Sequence, residues 1–351
     1  MTDNETTLNI LRIVDANANR ASEALRTIEE HARFVLNDKY LSQSAKEMRH
    51  RLTTAVAAAA MIDRVRARDR LTDVGRELTT HQESQRDNIE SVVAAAFGRL
   101  QQALRCLEEY SKPILPTTAP LLEQLRYDGY DLQKGFLTVE DSVKRLQTAR
   151  LYAIIDGQGT ELEFTNRVTK LDQAGVDAIQ LRDKELDDGP LLQRAKLLRK
   201  VLHKETGRAL LIINDRPDIA VLSGADGVHL GQQEMSVQQA RQIVGTEALI
   251  GVSTHSLEQV QQAVMDGANY IGCGPVFKSQ TKPFDSFPGL DFLQQVATES
   301  ALPAFAIGGI DPDNVPQIVA AGFTRIAVKG CLSPIDAIDQ VVRLLRNALA
   351  I

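Results

Sequence analysis

The feature that most restricts the fold is an alternation of short apolar runs with helical segments between residues 151 and 350. The runs have strand length, are rich in β-branched residues and end in polar or glycine-containing turns. Eight such strand and helix units predict a (β/α)8 TIM barrel, in which catalytic groups lie where the strands end. The strands are predicted at 151–155, 178–181, 210–213, 227–230, 249–252, 270–272, 304–307 and 325–328. The helices between them include 161–174, 191–204, 237–244, 257–266, 290–298 and 335–350.

The chain before the barrel has the periodicity of helices alone. Apolar residues recur at helical spacing over 8–36, 41–66, 89–110 and 121–146, and strand signals are absent from this part of the sequence. We therefore predict an all-α helical bundle domain over residues 1–140, followed by the barrel domain over residues 141–351.

The helical part contains an internal repeat. Segments 20–30 and 99–109 are identical at six positions, which predicts two equivalent helices. Arginine and glutamate four residues apart in both segments normally form solvated pairs on a helix surface. Five arginines also crowd residues 64–76, where either a phosphate site or a solvated charged loop fits the composition.

Composition excludes several functional classes. The formal net charge of -6 gives no basic field for general nucleic-acid binding. The longest apolar run, residues 55–62, is too short to span a bilayer, and the N-terminus lacks the pattern of a signal peptide. Three cysteines, Cys106, Cys273 and Cys331, have neither metal-ligand nor redox spacing. We predict a cytoplasmic protein with reduced thiols and without nucleic-acid or membrane partners.

The loop after the sixth strand is suited to phosphate. It reads Gly-Cys-Gly-Pro-Val-Phe-Lys-Ser-Gln-Thr-Lys over residues 272–282. Glycines let backbone amides approach a ligand, and Ser279, Thr281 and Lys282 add two hydroxyls and a cation. The alternative is an ordinary polar loop.

Other strand ends carry matching chemistry. Arg182 and Lys184, together with Lys282, are suited to hold a multiply charged phosphate group. Asp215 and Glu234 are suited to Mg²⁺, which prefers one or two carboxylates plus substrate phosphates. Read alone, Glu234 is more typical of an acid at a helix N-terminus than of a metal ligand, and the presence of Asp215 is what favours the metal. Glycines after the seventh and eighth strands indicate a second phosphate site.

Histidines and cysteines at the strand ends allow a structural interpretation as well. His229 is predicted as a site residue, with a hydrogen-bonded core histidine as the alternative. His255 is interpreted as a surface group, and Cys273 and Cys331 as small apolar residues.

The barrel part resembles thiamine-phosphate synthase in the order and spacing of its motifs, which here occupy 180–184, 213–215, 226–232, 251–253 and 274–282. The resemblance implies condensation of a hydroxymethylpyrimidine diphosphate with a thiazole phosphate, giving thiamine phosphate and pyrophosphate. Residues 1 to about 130 resemble the helical domain fused to this synthase in some bacteria, through the repeated helix and the Asp-Val-Gly at 73–75.

The resemblance also assigns site residues. It places the pyrimidine diphosphate on Gln180, Arg182, Lys184, Asn214 and Lys282, with Ser253 beside them. It assigns Mg²⁺ to Asp215, with Glu234 where the family usually has aspartate. It places the thiazole phosphate on Ser279, Thr281 and Gly309. We predict Gln280, Lys329, Gly330 and His229 as further substrate-binding residues.

These assignments predict a mechanism driven by charge. Pyrophosphate departs first, and the thiazole nitrogen captures the resulting pyrimidine cation. Arg182, Lys184 and Lys282 act as catalytic residues by stabilising the leaving group, so no acid–base pair is required.

Alternatives remain open for both domains. The barrel also fits a phosphate-binding isomerase, such as a relative of thiazole tautomerase, or a regulator that binds thiamine phosphate without turnover. The helical domain fits a kinase for hydroxymethylpyrimidine phosphate, or a docking or dimerisation module, and it contains no Gly-x-x-x-x-Gly-Lys motif. The sequence allows a homo-oligomer without requiring one.

Overall fold

A computed structural model of the chain describes residues 3–57, 65, 67–68, 86–278, 288–333 and 335–350. The chain divides into two compact units, Met1–Phe136 and Leu137–Ile351. No helix in the described ranges is both long enough and apolar enough to cross a membrane. The separate roles assigned to residues 1–140 and 141–351 stay predictions.

The first unit is helical, as predicted. Its elements are α1 (Asp3–His31), a π-helix (Ala32–Leu36), α2 (Lys39–Ala57) and α3 (Ile89–Ser111), and α4 (Ala119–Arg145) begins within it. Asn88 starts α3 because its side chain accepts a hydrogen bond from the backbone N–H of Ser91, while the Ser91 side chain returns a capping contact. The second predicted helix, 41–66, coincides with α2 as far as Ala57, and residues 58–64 and 66 lie outside the described residues.

The repeated segments form two equivalent clusters of ion pairs. On α1, Glu29 lies 3.1 Å from Arg49 of α2, and on α3, Glu108 lies 2.9 Å from Arg126 of α4. Both glutamates are nearly buried, at 7% and 4% exposure. The pairs expected at the helix surface also form, between Arg26 and Glu30 and between Arg105 and Glu109. The repeat therefore has a buried component that the surface-pair interpretation missed.

The second unit contains a closed barrel of eight parallel strands in sequential order, which confirms the predicted fold. Pairing of Leu151 with Ile326 joins the first strand to the last. The strands are β1 (Leu151–Ile155), β2 (Ala178–Leu181), β3 (Leu210–Asn214), β4 (Gly227–Leu230), β5 (Leu249–Thr254), β6 (Tyr270–Cys273), β7 (Ala304–Ile307) and β8 (Ile326–Val328). Strands β3, β5 and β6 extend one or two residues beyond their predicted ends.

Helices follow the strands along the chain. They are α5 (Glu161–Ala174), α6 (Asp188–Lys204), α7 (Pro217–Ser223), α8 (Val237–Val244), α9 (Leu257–Asp266), α10 (Gly289–Glu299), α11 (Val315–Ala320) and α12 (Ile338–Ala348). Short 3-10 helices occupy Gly330–Leu332 and Ile335–Ala337. The short helices α7 and α11 were not among the predicted elements.

Aromatic rings fill part of the barrel interior. Tyr152 of β1 and Tyr270 of β6 both pack edge-on against Phe305 of β7, with ring centroids 5.3 and 5.7 Å away. Ile154, Ile212 and other apolar side chains belong to the same buried cluster. Because every strand runs in the same direction, the residues that follow the strands meet at one end of this packed interior.

Candidate active site

Strands β2 to β5 bring five of the predicted site residues to the same end of the barrel. Gln180 lies in β2, Asn214 ends β3, His229 lies in β4 and Ser253 lies in β5, while Arg182 follows β2 directly. Strand register pairs Asn214 with His229. The structure thus groups residues that the sequence could place only one strand at a time.

Hydrogen bonds connect several of these residues through the barrel interior. The Gln180 amide nitrogen donates to the Tyr152 hydroxyl over 3.0 Å, and the Tyr152 and Tyr270 hydroxyls lie 3.1 Å apart. His229 Nδ1 lies 3.3 Å from the Tyr270 hydroxyl, and its Nε2 lies 3.0 Å from the Ser253 hydroxyl. His229 is therefore a hydrogen-bonded interior histidine that also contacts a predicted substrate residue.

The interior keeps this chain of groups uncharged. Burial, and to a smaller extent the positive charge of Arg182, lowers the pKa of His229 to about 4. Burial also raises the pKa of the Tyr152 and Tyr270 hydroxyls above the usual tyrosine value. At neutral pH the two phenols keep their protons. The imidazole is neutral, with a proton on one of its two nitrogens.

Two glycines make room for the rings in this chain. A Cβ atom at Gly251 would lie 2.1 Å from the Tyr270 ring, a distance that no packing tolerates. A Cβ atom at Gly272 would lie 3.3 Å from Cε1 of His229. Glycine inside a strand often marks such a close approach, so these positions were the available signal for the interior chain. Tyr152 and Tyr270 were not among the residues predicted for the site.

Asp183 holds the loop that carries Arg182 and Lys184. One carboxylate oxygen accepts from the backbone N–H groups of Glu185 and Leu186, at 2.8 and 3.0 Å. The other accepts from the Gly157 backbone and the Gln158 amide, at 3.0 and 2.8 Å. Burial acts to raise the pKa of Asp183, but these hydrogen bonds outweigh it and lower the pKa. No role of its own was predicted for Asp183.

Asp215 and Glu234 approach the same space. From the position that a Cβ atom of Gly231 would occupy, Asp215 Oδ1 is 4.0 Å away and Glu234 Cγ is 3.4 Å away. The Asn214 amide donates to the other oxygen of Asp215 over 2.6 Å. In the described ranges no three His, Cys, Asp or Glu side chains cluster as a complete metal-binding set. A partly exposed and an exposed carboxylate fit Mg²⁺, which takes its remaining ligands from water and substrate phosphates.

The predicted thiazole-phosphate residues are described only in part. Gly309 lies after β7 and has a φ of 64°. A Cβ atom at this position would lie 3.0 Å from the side chain of Phe277. Lys329 follows β8, and its amino group lies 3.9 Å from Asp156, which follows β1. Gly330 opens the 3-10 helix after β8. Ser279, Gln280, Thr281 and Lys282 lie outside the described residues.

The remaining candidates have structural surroundings. His255 contacts the backbone carbonyl of Gly274 through Nδ1. Cys273 is fully buried, and burial raises the pKa of its thiol to about 12. Cys331 is partly buried, with a thiol pKa raised by burial to about 11. Neither thiol is prepared to act as a nucleophile at neutral pH.

The first unit contains a groove of about 540 Å³ between α1, the π-helix and α2. Three basic side chains line it, Arg33, Lys39 and Lys46, with His50 beside them. Its two acidic side chains are engaged, because Glu29 binds Arg49 and Glu47 accepts from Gln43. The lining is Glu29, Arg33, Lys39, Ser42, Gln43, Lys46, Glu47 and His50.

The arginine-rich stretch predicted near residues 64–76 lies mostly outside the described residues. Arg68 is described, and it binds the nearly buried carboxylate of Asp15 in α1 through two nitrogens, at 2.6 and 3.1 Å. This arginine therefore has a structural partner on the neighbouring helix.

Comparison with known proteins covers both units. The family model described as thiamine monophosphate synthase matches residues 151–332, and the ThiD2 family model matches residues 12–135. A thiamine-phosphate synthase of Rhodopirellula baltica is 46% identical over 349 residues, which cover 97% of this chain and 92% of the relative. A thiamine-phosphate synthase of a Synechocystis species is 40% identical over 319 residues, which cover 91% of this chain and 90% of the relative.

Among solved structures, thiamine phosphate pyrophosphorylase from Pyrococcus furiosus is 29% identical, with a TM-score of 0.50. The match covers 57% of this chain and 96% of that protein. The helical part is matched by the ThiD2 model and by the two longer relatives. The chain belongs to the thiamine-phosphate synthase family, in the form that carries a ThiD2-family unit before the barrel.

Proposed function

We infer that the chain is a transferase of thiamine biosynthesis, a thiamine-phosphate synthase. It condenses 4-amino-2-methyl-5-hydroxymethylpyrimidine diphosphate with 4-methyl-5-hydroxyethylthiazole phosphate to give thiamine phosphate and pyrophosphate. The observation that carries this inference is the 46% identity to a synthase across 97% of this chain, both units included. The grouping of polar residues at one end of the barrel supports it.

The pyrimidine diphosphate is assigned to the end of β2 and its neighbours. Gln180 and Ser253 lie at the two ends of the interior hydrogen-bond chain, and Asn214 ends the intervening strand β3, which supports assigning the pyrimidine ring to these three residues. Arg182 and Lys184 follow the end of β2, and we assign the diphosphate attached to the pyrimidine ring to this position. Arginine supplies a planar pair of donors and lysine a compact charge, which together suit a diphosphate.

Charge stabilisation then accounts for the reaction. The bond between the exocyclic carbon and the diphosphate oxygen breaks, and its electron pair leaves with pyrophosphate. Arg182, Lys184 and Lys282 stabilise the growing negative charge, while the amino group of the pyrimidine spreads the positive charge. The lone pair of the thiazole nitrogen forms the new carbon–nitrogen bond. Walls that exclude water protect the cation from hydrolysis.

Mg²⁺ is assigned to Asp215 and Glu234. When bound, it would neutralise charge on the diphosphate and on the departing pyrophosphate. Asn214 orients Asp215 through its hydrogen bond, so it acts on both the substrate and the carboxylate that faces the metal. Glu234 is exposed and extends one methylene further than the aspartate usual in the family.

The thiazole phosphate is assigned to the opposite side of the barrel end. Gly309 after β7 and Gly330 after β8 offer backbone N–H groups, and Lys329 adds a cation at the same end. Ser279, Gln280 and Thr281 complete this proposal from sequence. A cytoplasmic location and a homo-oligomer likewise stay predictions.

The test uses the purified full-length chain with both substrates. Pyrophosphate release and thiamine phosphate formation should proceed in equal amounts, should require Mg²⁺ and should stop with a chelator. Lys282→Ala should reduce kcat by a factor of about a hundred or more, as for other donors to a developing anion. Absence of pyrophosphate release under all conditions would overturn the proposal.

The same assay separates the alternatives. Conversion of the thiazole phosphate to an isomer, without release of pyrophosphate, would identify an isomerase. Binding of thiamine phosphate without turnover of either substrate would identify a regulator.

We propose a second activity for the helical unit, transfer of a phosphoryl group from ATP to hydroxymethylpyrimidine phosphate. The ThiD2 family match and the basic groove favour it. The three basic side chains of the groove outnumber its two acidic side chains, which favours binding of an anion. A π-helix forms one wall, and such segments often occur at functional sites.

The two repeats differ at the position that follows the buried glutamate by four residues. In the first repeat this residue is Arg33, which lines the groove and lies over the Phe34 ring. In the second repeat it is Lys112, whose amino group lies 2.8 Å from Glu109. The first repeat thus presents a cation to the groove where the second closes an ion pair.

This difference supplies a matched control for a kinase assay on the full-length chain. ATP and the pyrimidine monophosphate should yield ADP and the diphosphate. Arg33→Ala and Lys46→Ala should each slow ADP formation by about tenfold or more, the worth of one charged hydrogen bond. Lys112→Ala should leave the rate close to that of the parent. No ADP formation by the parent chain, with the synthase reaction intact, would overturn the second activity alone.

A further inference from the structure

We propose that Tyr152 and Tyr270 are positioning residues that fix the tautomer of His229 and thereby direct the hydroxyl proton of Ser253 toward the substrate. The inference rests on the proposed synthase function, because it concerns how that site recognises the pyrimidine. Neither tyrosine belongs to the residues assigned above to substrate or metal. Their role follows from the direction of the interior hydrogen bonds.

The interior chain of hydrogen bonds has one end with a fixed direction. The amide nitrogen of Gln180 carries hydrogens and no free lone pair, so it donates to the Tyr152 hydroxyl oxygen. Gln180 is buried, at 2% exposure. With its nitrogen committed to Tyr152, its carbonyl oxygen is the atom left to accept a hydrogen bond from a ligand.

The Tyr152 hydroxyl donates its proton to Tyr270. Tyr152 is also buried, and in the described part of the chain its hydroxyl has two hydrogen-bond neighbours, Gln180 and Tyr270. Gln180 is a donor, so the Tyr152 proton has the Tyr270 oxygen as its acceptor. The reverse direction would leave a buried hydroxyl proton without an acceptor, an arrangement that folded proteins avoid.

The direction of the hydrogen bonds is set in the same way from Tyr270 to Ser253. Tyr270 accepts from Tyr152 and therefore donates its own proton to Nδ1 of His229. A neutral imidazole that accepts at Nδ1 carries its proton at Nε2, where it donates to the Ser253 oxygen. The Ser253 proton then points away from His229. Every hydroxyl in the chain before Ser253 has one donor and one acceptor.

The ordered chain presents two complementary groups to the substrate. Gln180 offers an oxygen that accepts, and Ser253 offers a proton that donates. An aminopyrimidine displays the matching pair, an amino group that donates and a ring nitrogen that accepts. Selection of an amino-substituted ring thus depends on two tyrosines that do not contact it, because a site built to pair a polar group rejects ligands without it.

Tyrosine-to-phenylalanine variants test this role, since they remove the hydroxyls and retain the rings packed on Phe305. In the full-length chain, Tyr270→Phe and Tyr152→Phe should each lower kcat/KM for the pyrimidine diphosphate by about tenfold, the worth of one hydrogen bond. The KM for the thiazole phosphate should stay within about twofold of the parent value. Tyr110→Phe, which removes an exposed hydroxyl in the first unit, is the control.

A spectroscopic readout does not depend on activity. Nitrogen-15 NMR of histidine-labelled protein distinguishes the two neutral tautomers, and loss of one signal in His229→Gln identifies the residue. The parent should show a proton on Nε2 and none on Nδ1. Tyr270→Phe should show a mixture of tautomers, because Nδ1 has lost its donor. Thermal unfolding of each variant establishes that it is folded.

The outcomes separate this inference from the proposed function. A proton on Nδ1 in the parent, or Phe variants with the tautomer and kinetics of the parent, would overturn the positioning role. A parent that releases no pyrophosphate but shows the Nε2 tautomer, lost in Tyr270→Phe, would sink the proposed synthase activity and leave the hydrogen-bond direction established. An equal rise in KM for both substrates would overturn the positioning role and indicate a structural role instead.

Discussion

Replacement of Asp183 by asparagine should weaken turnover through the loop that carries Arg182 and Lys184. The substitution keeps size and shape but replaces one carboxylate oxygen by an NH₂ group. Each oxygen of Asp183 accepts two hydrogen bonds, one pair from Glu185 and Leu186 and the other from residues 157 and 158. Whichever way the asparagine amide turns, its NH₂ group replaces one carboxylate oxygen. The two N–H groups that donated to that oxygen then face a donor in place of an acceptor.

The expected magnitude follows from the two hydrogen bonds that are lost. A hydrogen bond to a charged acceptor contributes about 1.5 kcal/mol at the lower end, the appropriate value for a half-buried carboxylate. Two lost bonds therefore destabilise the ordered loop by about 3 kcal/mol. Since about 1.4 kcal/mol corresponds to a factor of ten, kcat/KM for the pyrimidine diphosphate should fall by up to about a hundredfold.

The assay is steady-state release of pyrophosphate with the pyrimidine diphosphate varied at saturating thiazole phosphate. The control is Asp187→Asn, the same change at an exposed residue four positions later whose side chain makes no capping hydrogen bond to α6. Activity of the control should match the parent. The KM for the thiazole phosphate should change little in either variant, because none of the four donors to Asp183 is a residue assigned to the thiazole phosphate.

The lowered pKa of Asp183 predicts how the stability difference between parent and variant depends on pH. Its hydrogen bonds lower the pKa in the folded protein, so the stabilisation is complete above the ordinary aspartate value of about 3.9 and is lost as the pH falls through the folded value. The difference in unfolding free energy between parent and Asp183→Asn should therefore shrink under acid. Parent-like kinetics for Asp183→Asn, at a stability equal to that of Asp187→Asn, would refute the reasoning.

Three further predictions concern the metal, the barrel and the helical unit. Glu234→Gln should raise the Mg²⁺ concentration needed for half-maximal activity, whereas Glu234→Asp should retain the parent requirement, as measured by Mg²⁺ titration. Gly227→Ala should lower the melting temperature sharply, because its Cβ would lie 2.2 Å from a carbonyl oxygen of β5, while Gly189→Ala, with open space around it, should not. In urea unfolding, Glu108→Gln should lower the free energy of unfolding by about 3 kcal/mol, more than Glu29→Gln, because the side chain of Arg126 beside Glu108 is 11% exposed whereas that of Arg49 beside Glu29 is 24% exposed.

Much of the barrel was predictable because its local signals agree. The starts and ends predicted for β1, β2, β4 and β7 match the structure, since each is a short apolar run bounded by turn residues. Strands β3, β5 and β6 were predicted too short. The residues beyond the predicted ends are Asn214, Ser253, Thr254 and Cys273. They carry polar or sulfur-containing side chains and were therefore assigned to the loops, yet they still pair with neighbouring strands.

The interior hydrogen-bond chain was not predictable in the same way. Its members come from β1, β2, β4, β5 and β6, and hydroxyls on separate strands meet only through the register of the closed barrel. Strands buried on both sides show no alternation that would reveal which residues face inward. Gly251 opposite Tyr270 was a usable sign of close approach, because a side chain at either position constrains the other.

The buried glutamate of the helical unit was hidden by a rule that usually holds. Arginine and glutamate at helical spacing normally form surface pairs, and the sequence contains such pairs at both repeats. The partners that bury Glu29 and Glu108 are Arg49 and Arg126, which lie on different helices. The predicted bundle thus omitted the polar contacts that join α1 to α2 and α3 to α4.

The duplicated cluster has a consequence for how such a unit arises. Two helix pairs that share the same glutamate and arginine arrangement are what duplication and fusion of one gene would leave behind, and α1 packs on α3 as well as on α2. A single ancestral hairpin would have needed a second copy to cover that face of α1. Fusion replaces this encounter by an intramolecular one, so association no longer depends on protein concentration. One copy is then free to diverge while the other preserves the packing.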